Sequence, residues 1–222
     1  MQSIENKSYH NAGNEDVLQF LVQPGMVLDI GCGAGDNAAI LKPLGFKVDG
    51  ISISENELQA AAPFLQKGYL FNLENGLPDE VKNVQYDYII CSHVLEHICY
   101  PEQLLKDIRG CIKKDGKIVV ALPNLLHYAS RWQLLKGEFN YLGAGIWDNT
   151  HFKWYTFRTG KTLLEKNGFK VIYHSVTGML PGNSFFAKFL SKKAAATMYN
   201  QLKKLSPGLF GYQLVYVATI SS

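Results

Sequence analysis

Cysteine is scarce in this 222-residue chain, acid is missing from its last quarter, and no apolar stretch is long. Each shortage excludes something. The longest apolar runs, such as 118–122, fall far short of the roughly 18 residues a membrane-spanning helix needs. The opening residues, MQSIENKSYHN, lack the basic-then-apolar pattern of an export signal, so a cytoplasmic location is expected. Cys32, Cys91, Cys99 and Cys111 show no CxxC spacing, and two of them sit inside apolar strand-like runs, which reads as reduced, buried thiols. After Glu165 there is no Asp or Glu. Lys166, Lys170, Lys188, Lys192, Lys193, Lys203 and Lys204 give that segment +7, leaving −4 for the first 165 residues and +3 overall. A basic tail of this kind suits an anionic substrate, a membrane surface or plain solubility. With 47% hydrophobic and 18% charged residues, collagen-like, low-complexity and wholly disordered chains are excluded. A chain this long buries roughly 70% of its unfolded surface without a disulfide or metal staple, so one domain over 1–222 is expected.

From residue 26 to about 122, short Val/Ile-rich runs alternate with helical patterns. Strands are predicted at 26–31, 47–52, 69–71, 86–92 and 117–122, and helices at 36–41, 55–64 and 101–112. Ser54 is a good N-cap with Glu57 three residues on, and Pro101 suits a first helical turn. Alternating β and α predicts a doubly wound, mostly parallel α/β sheet with right-handed crossovers. A helix at 156–167, stopped by Gly168, and closing strands at 169–176 and 212–220 complete the pattern. Two stretches interrupt it. Residues 123–155 form a long connection holding His127, His151, all three tryptophans and many other rings, as expected of a lid or binding element. Nine of the 27 Phe/Tyr/Trp fall within 123–157, where an even spread would put about four, which favours an apolar or sugar-stacking pocket. Residues 178–211 carry a helix with Phe186, Leu190, Ala194, Met198 and Leu202 at i+4 spacing and lysines largely off that stripe. An amphipathic cover on the sheet is the favoured reading of this helix, ahead of docking onto an anionic membrane.

The informative segment is VLDIGCGAGDNAAIL, 27–41. A strand ends at Ile30, and Gly31, Gly33 and Gly35 turn the chain into a helix near Asp36. Glycines let the backbone take positive φ and let a ligand touch the main chain. The free N–H groups of the turn then face an anion. A dinucleotide site needs G-x-G-x-x-G, but here Asp36 stands where its third glycine belongs. That spacing suits a small carboxylate beside a cation, as at the amino-acid end of methionine, with Asp29 holding the ammonium.

Asp29-x-Gly31-x-Gly33-x-Gly35 resembles motif I of the class I S-adenosylmethionine-dependent methyltransferases. The resemblance runs from about Tyr9 to Val176 in four ordered blocks. VDGISIS resembles the family's ribose-binding strand, and LFNLENGLP its adenine-contacting loop. YDYIICSHVLEHI is similar to the fourth strand and the loop after it, in the form found among ubiquinone-biosynthesis O-methyltransferases. THFKWYTFRTGKTLLEKNGFKV is similar to a block usual in small-molecule and saccharide-associated members. The resemblance implies a seven-stranded sheet with an antiparallel closing strand and S-adenosylmethionine as cofactor, with S-adenosylhomocysteine as product. It implies cofactor contacts at Tyr9, Asp29, Gly31, Cys32, Gly33, Gly35, Ser52, Ile53, Asn72, Leu73, Ser92 and His93. The expected acceptor is a small molecule, saccharides and lipid-linked compounds included, methylated at oxygen. The chain departs from the family at Ser52, where an acid usually binds both ribose hydroxyls, and at Asn72, often Asp. Ser and Asn forgo the charge-assisted bond. Glu55 is the candidate substitute.

Methyl transfer from a sulfonium is an in-line displacement that needs positioning and, for a hydroxyl acceptor, removal of a proton. His97 and His151 are the expected catalytic bases, His93, Glu96 and His97 following the fourth strand at the sheet edge where α/β folds place ligands. His97 could instead order its loop, and His151 could cap the helix after it. A divalent metal held by His93, Glu96, His97 and His151 is the less favoured reading, and no metal is expected. The rival functions are a cofactor-binding scaffold that has lost catalysis and a nicotinamide-dependent oxidoreductase, the latter disfavoured by the glycine spacing. No Asn/Asp-Pro-Pro-Tyr-like tetrapeptide supports methylation of nucleic acid, so no nucleic-acid partner is expected. On this reading Ser52→Asp restores the missing acid and tightens cofactor binding, a change measurable by titration calorimetry.

Overall fold

Residues alternate sides along each strand, and both sides of this sheet are apolar. In the computed structural model, which describes residues 13–178 and 191–221, β1 (Met26–Ile30), β2 (Lys47–Ser52), β3 (Lys67–Leu70), β4 (Tyr86–Ser92), β5 (Ile112–Pro123), β6 (Phe169–Thr177) and β7 (Gln213–Ile220) form one sheet. Their order is β3-β2-β1-β4-β5-β7-β6. The first five strands run parallel, while β7 is antiparallel to both β5 and β6. Leu28, Ile30, Ile89, Cys91, Ile118 and Val120 pack on one face; Val27, Val48, Ile90, Val119 and Val217 pack on the other. Burial on both faces is what a parallel sheet requires, and each such side chain contributes about 1.5–3 kcal/mol.

The covering helices follow their sequence signals. They include α1 (Glu15–Leu18), α2 (Asp36–Leu41), α3 (Glu55–Ala61), α4 (Asp79–Lys82), α5 (Pro101–Cys111), α6 (Tyr128–Leu135), α7 (Phe157–Lys166), α8 (Lys192–Leu205) and α9 (Pro207–Phe210). Ser54 Oγ caps α3 by accepting from the Glu57 amide, and Pro101 occupies the first turn of α5. Thr156 caps α7 in a reciprocal box with Thr159. His151 therefore does not cap that helix; its Nδ1 bonds the Ile146 carbonyl instead, 3.1 Å away.

Four details differ from the sequence pattern, one of them the start of β5 at Ile112, well before the expected Lys117. β3 starts at Lys67 and α3 ends at Ala61, both earlier than the pattern suggests. Segment 123–155 is not merely a connection, because Tyr128–Leu135 is helical within it. In α8 the buried residues are Ala195 and Tyr199, one step round from the expected stripe, and Ala194 is exposed. Tyr199 wins because its ring packs against Phe210 and its hydroxyl donates to the Phe210 carbonyl. Tyr9, Phe186, Lys188 and Leu190 lie outside the described residues. Among the described residues no helix is long and apolar enough to cross a membrane, and the four cysteines are free, Cys32, Cys91 and Cys111 being buried.

Gly35 joins the first turn to the fold. Its φ is +84°, and a Cβ there would sit 2.9 Å from the Ala61 Cα of α3. Both the left-handed backbone and the backbone contact oppose any side chain. Gly35→Ala is therefore expected to destabilise the chain by at least about 2 kcal/mol, lowering the melting temperature by roughly 4–8 °C in a calorimetric scan.

Candidate functional site

Strand order reverses direction between β1 and β4, which are hydrogen-bonded neighbours. The loops leaving their C-terminal ends must diverge, one to each side of the sheet, and the crevice between them is where open α/β sheets bind ligands. The turn after β1 holds Gly31, Gly33 and Gly35, all with positive φ (+71°, +53° and +84°). Gly31 sits against Val94 of the opposite loop, where a Cβ would lie 2.5 Å from a Val94 methyl. The Cys32 amide donates to Ile51 of β2, its carbonyl accepts from the Gly35 amide, and its thiol lies where a side chain on Gly50 would fall, so Cys32 braces the turn against β2.

Beneath this turn Asp29 is buried. Its Oδ2 accepts from Asn37 Nδ2 at 3.2 Å, while its Oδ1 has no hydrogen-bond partner. Burial pushes its pKa up to about 7, with the Asn37 bond pulling the other way. Asn37 Oδ1 accepts from the Asn14 amide. The Asn14 side chain in turn donates to Ser92 Oγ and Gln213 Oε1, both at 2.9 Å. A polar chain thus links the ends of β1, β4 and β7. Asn14, Asn37 and Gln213 carry no motif signal, because the strands that unite them are far apart in sequence.

At the tip of β2, Ser52 Oγ donates to Glu57 Oε2 at 2.6 Å and accepts from the Ser54 amide. Glu57 is buried and Glu55 is exposed. The carboxylate at this strand tip is therefore Glu57, delivered by α3; it is not missing and it is not Glu55. An aspartate at position 52 would confront Glu57, and like charges so close raise a pKa rather than add a ligand. The effect expected of Ser52→Asp accordingly changes sign, to weaker cofactor binding. Ile53 follows half-buried. Asn72 is exposed and caps a short 3₁₀ turn by accepting from the Glu74 amide, and Leu73 packs partly on the core.

The loop after β4 is the most highly charged part of the crevice. His93 takes φ +57° and stands between Glu96 Oε1, 3.3 Å from its Nδ1, and Gln213 Oε1, 2.7 Å from its Nε2. Burial works against its charged form, but these two acceptors outweigh it and raise its pKa. Burial likewise opposes ionisation of Glu96, and the bond from His93 overcomes it. Each of the two groups thus favours the charged form of the other. Glu96 Oε2 is left without a partner at 0% exposure. The Glu96 carbonyl accepts two amides of segment 123–155, those of Phe152 and Lys153. That docking brings His151 beside His97, their ring centroids 4.6 Å apart. One ligand atom each of Glu96, His97 and His151 lies within 4.8 Å of the others. Burial lowers the pKa of His151, with Glu96 pulling the other way. The aromatic residues divide: Trp147 is buried under Phe139 (4.8 Å), which also meets Tyr141 and Trp154, while Trp132, Phe139, Tyr141 and Phe152 keep about half or more of their surface exposed.

A methyltransferase-domain family model matches residues 8–174, so the chain belongs to that family, the class I S-adenosylmethionine-dependent methyltransferases. A ubiquinone biosynthesis O-methyltransferase of Rickettsia prowazekii is 30% identical over 127 residues, covering 56% of this chain and 50% of the relative. The chain spans about half the length of the curated relatives it matches. A SAM-dependent methyltransferase from Archaeoglobus fulgidus superposes with a TM-score of 0.59 at 21% identity, covering 88% of this chain and 86% of that one. Magnesium protoporphyrin IX methyltransferase of Synechocystis, solved with bound S-adenosylhomocysteine, gives 0.59 at 16% identity, covering 93% and 81%.

His127, which starts the segment after β5, has a different environment from the other histidines. It is buried against Tyr128 and Tyr212, and neither ring nitrogen has a hydrogen-bond partner. Burial lowers its pKa to about 4. The unfolded chain therefore binds this proton more readily than the folded one. Stability from this group is complete above about pH 6.5 and is lost as pH falls towards 4, by up to about 3 kcal/mol. His127→Phe should flatten that part of the stability profile, as read by urea unfolding at a series of pH values.

Proposed function

We propose that this chain transfers the methyl group of S-adenosylmethionine to an oxygen of a small-molecule acceptor. The observation that carries this reading is the meeting of the positive-φ Gly31–Gly35 turn and the histidine-bearing 93–97 loop at the β1/β4 switch, where Gly31 lies against Val94. The turn holds the cofactor carboxylate, with Gly31, Gly33 and Gly35 lining it and Cys32 bracing it through its amide bond to Ile51. Asp29 receives the ammonium; its support is the unpartnered Oδ1 under the turn. Ser52 and Glu57 receive the ribose hydroxyls, and Ile53, Asn72 and Leu73 flank the adenine. Ser92, held by Asn14, and His93, held by Gln213, flank the cofactor from the β4 side.

Transfer needs the acceptor oxygen, methyl carbon and sulfur in line, an arrangement worth about 7–11 kcal/mol when pre-organised. The oxygen forms a bond to carbon as the carbon–sulfur bond breaks and sulfur keeps the electron pair. Loss of the acceptor proton is promoted at the Glu96–His97–His151 cluster, beside the crevice rather than in bulk solvent. Exposed Trp132, Phe139, Tyr141 and Phe152 support an acceptor with a flat or apolar face. Oxygen as the acceptor atom is supported by relatives named as ubiquinone biosynthesis O-methyltransferases. Glu57 removes the main ground for a scaffold without catalysis, since the strand tip does hold a carboxylate.

Calorimetry with S-adenosylhomocysteine, followed by a radiolabelled methyl-transfer screen over phenols, saccharides and carboxylates, tests the reading. Glu57→Gln is expected to raise the dissociation constant about tenfold, the size of one charge-assisted bond. Glu55→Gln is expected to leave it unchanged. Absence of binding by the unsubstituted chain would overturn the proposal.

A further inference from the structure

Asparagine is a preferred helix N-cap because its short side chain accepts from the first amides of the helix. Asn14 stands at the N-cap of α1, yet its side chain makes no such bond. It reaches away from the helix instead. Its Nδ2 donates to Ser92 Oγ at the end of β4 and to Gln213 Oε1 at the start of β7, each at 2.9 Å, which uses both of its hydrogens. Its main-chain N–H donates to Asn37 Oδ1 at 2.9 Å, and Asn37 Nδ2 donates to Asp29 Oδ2 at 3.2 Å. Gln213 is held at its other end as well, Nε2 donating to Thr177 Oγ1 at 2.9 Å, so that its Oε1 is aimed at His93 Nε2, 2.7 Å away. A residue within none of the motif blocks thus reaches Asp29 through one intermediary and the His93–Glu96 pair through another.

We propose that Asn14 is a positioning residue for methyl transfer, holding the Asp29 end of the cofactor site and the His93 loop in one fixed register. It rests on the methyl-transfer reading, in which donor and acceptor must meet in line and a misplacement of about 1 Å costs about 100-fold in rate. The loops after β1 and β4 part to opposite sides of the sheet, so a connection between them has to come from a third segment. Asn14 supplies it, and hydrogen bonds suit the task because they are directional. The Asn14 amide group cannot turn over without losing both of its donor bonds. The Asn37 amide is fixed in the same way, giving a hydrogen to a carboxylate on one side and receiving a main-chain N–H on the other. Each member's donor and acceptor ends are thereby set by its neighbours, which makes the chain one unit rather than a row of separate contacts. Asn37 and Gln213 are buried, so water does not compete for these bonds. Asn14 meets none of the reacting atoms and acts through Asn37, Ser92 and Gln213.

The test uses the full chain, with S-adenosylhomocysteine as the probe in calorimetry and nitrogen NMR of the histidine rings as a second measurement. Asn14→Ser keeps a residue preferred at a helix N-cap but leaves a single short donor, so circular dichroism melting should show it folded. Its dissociation constant is expected to rise at least about fivefold, the size of one hydrogen bond. Gln213→Leu should act in the same direction. Combined with Asn14→Ser it should add little, because members of one network are not additive. Asn14→Ser combined with Glu57→Gln, at the tip of β2, should instead multiply the two effects. In the cofactor-free chain Asn14→Ser should also move the His93 Nε2 resonance, whereas Glu57→Gln should not. A fully additive Asn14–Gln213 pair, an unmoved His93 resonance, or undiminished binding in folded Asn14→Ser overturns the proposal. Absence of binding by the unsubstituted chain overturns the methyl-transfer reading and this proposal together, a result distinct from loss of the effect at Asn14 alone.

Discussion

A carboxylate that water cannot reach governs the architecture of this crevice. Glu96 is wholly buried at the end of β4, so its charge must be met from within the protein. His93 meets one oxygen, and to do so adopts a left-handed backbone that a non-glycine residue rarely takes. Strain of that kind persists only where the surroundings hold it in place. Here they are Gln213 on the far ring nitrogen and the Ala121 carbonyl on the backbone amide. The Glu96 carbonyl receives the amides of Phe152 and Lys153, so one buried glutamate organises both the loop and the segment that covers it.

The sheet supplies the rigidity on which these contacts depend. β7 enters between β5 and β6 antiparallel to both, and its first residue, Gln213, arrives at the same edge as the ends of β1 and β4. A residue more than a hundred positions away thereby completes the environment of His93. Asn14 performs the matching task from the N-terminal side, touching Asn37, Ser92 and Gln213 together. Buried polar networks of this kind are stabilising when their members are satisfied. The oxygens left over, on Asp29 and Glu96, lie at the two sides of the switch.

Much of this was legible in the chain before folding. The alternation of Val/Ile runs with capped helices places the strands to within two or three residues, except that β5 begins at Ile112. The glycine spacing distinguishes an amino-acid tail from a pyrophosphate because Asp36 stands where a third glycine would be needed. The strand tip at Ser52 was harder. Glu57 looks like half of a capping box, and its neighbour Glu55 looks equally acidic; only the helical turn decides which carboxylate faces inward. His151 reads from the sequence as a reactive residue, yet its partners, Ile146 and His97, are not given by spacing. They depend on how segment 123–155 folds back onto the β4 loop.

Local chemistry wrote the parts that depend on near neighbours. Backbone periodicity, caps, proline in a first turn and the tight glycine bend are decided within a few residues, so the sequence by itself determined the order of strands and helices and the family. The tertiary structure decided which polar atoms meet. Glu57 with Ser52, Glu96 with His93, and His97 with His151 arise from register between strands and from the return path of a long segment. Their energies depend on burial, and burial is a property of the packed whole that no stretch of the chain possesses alone.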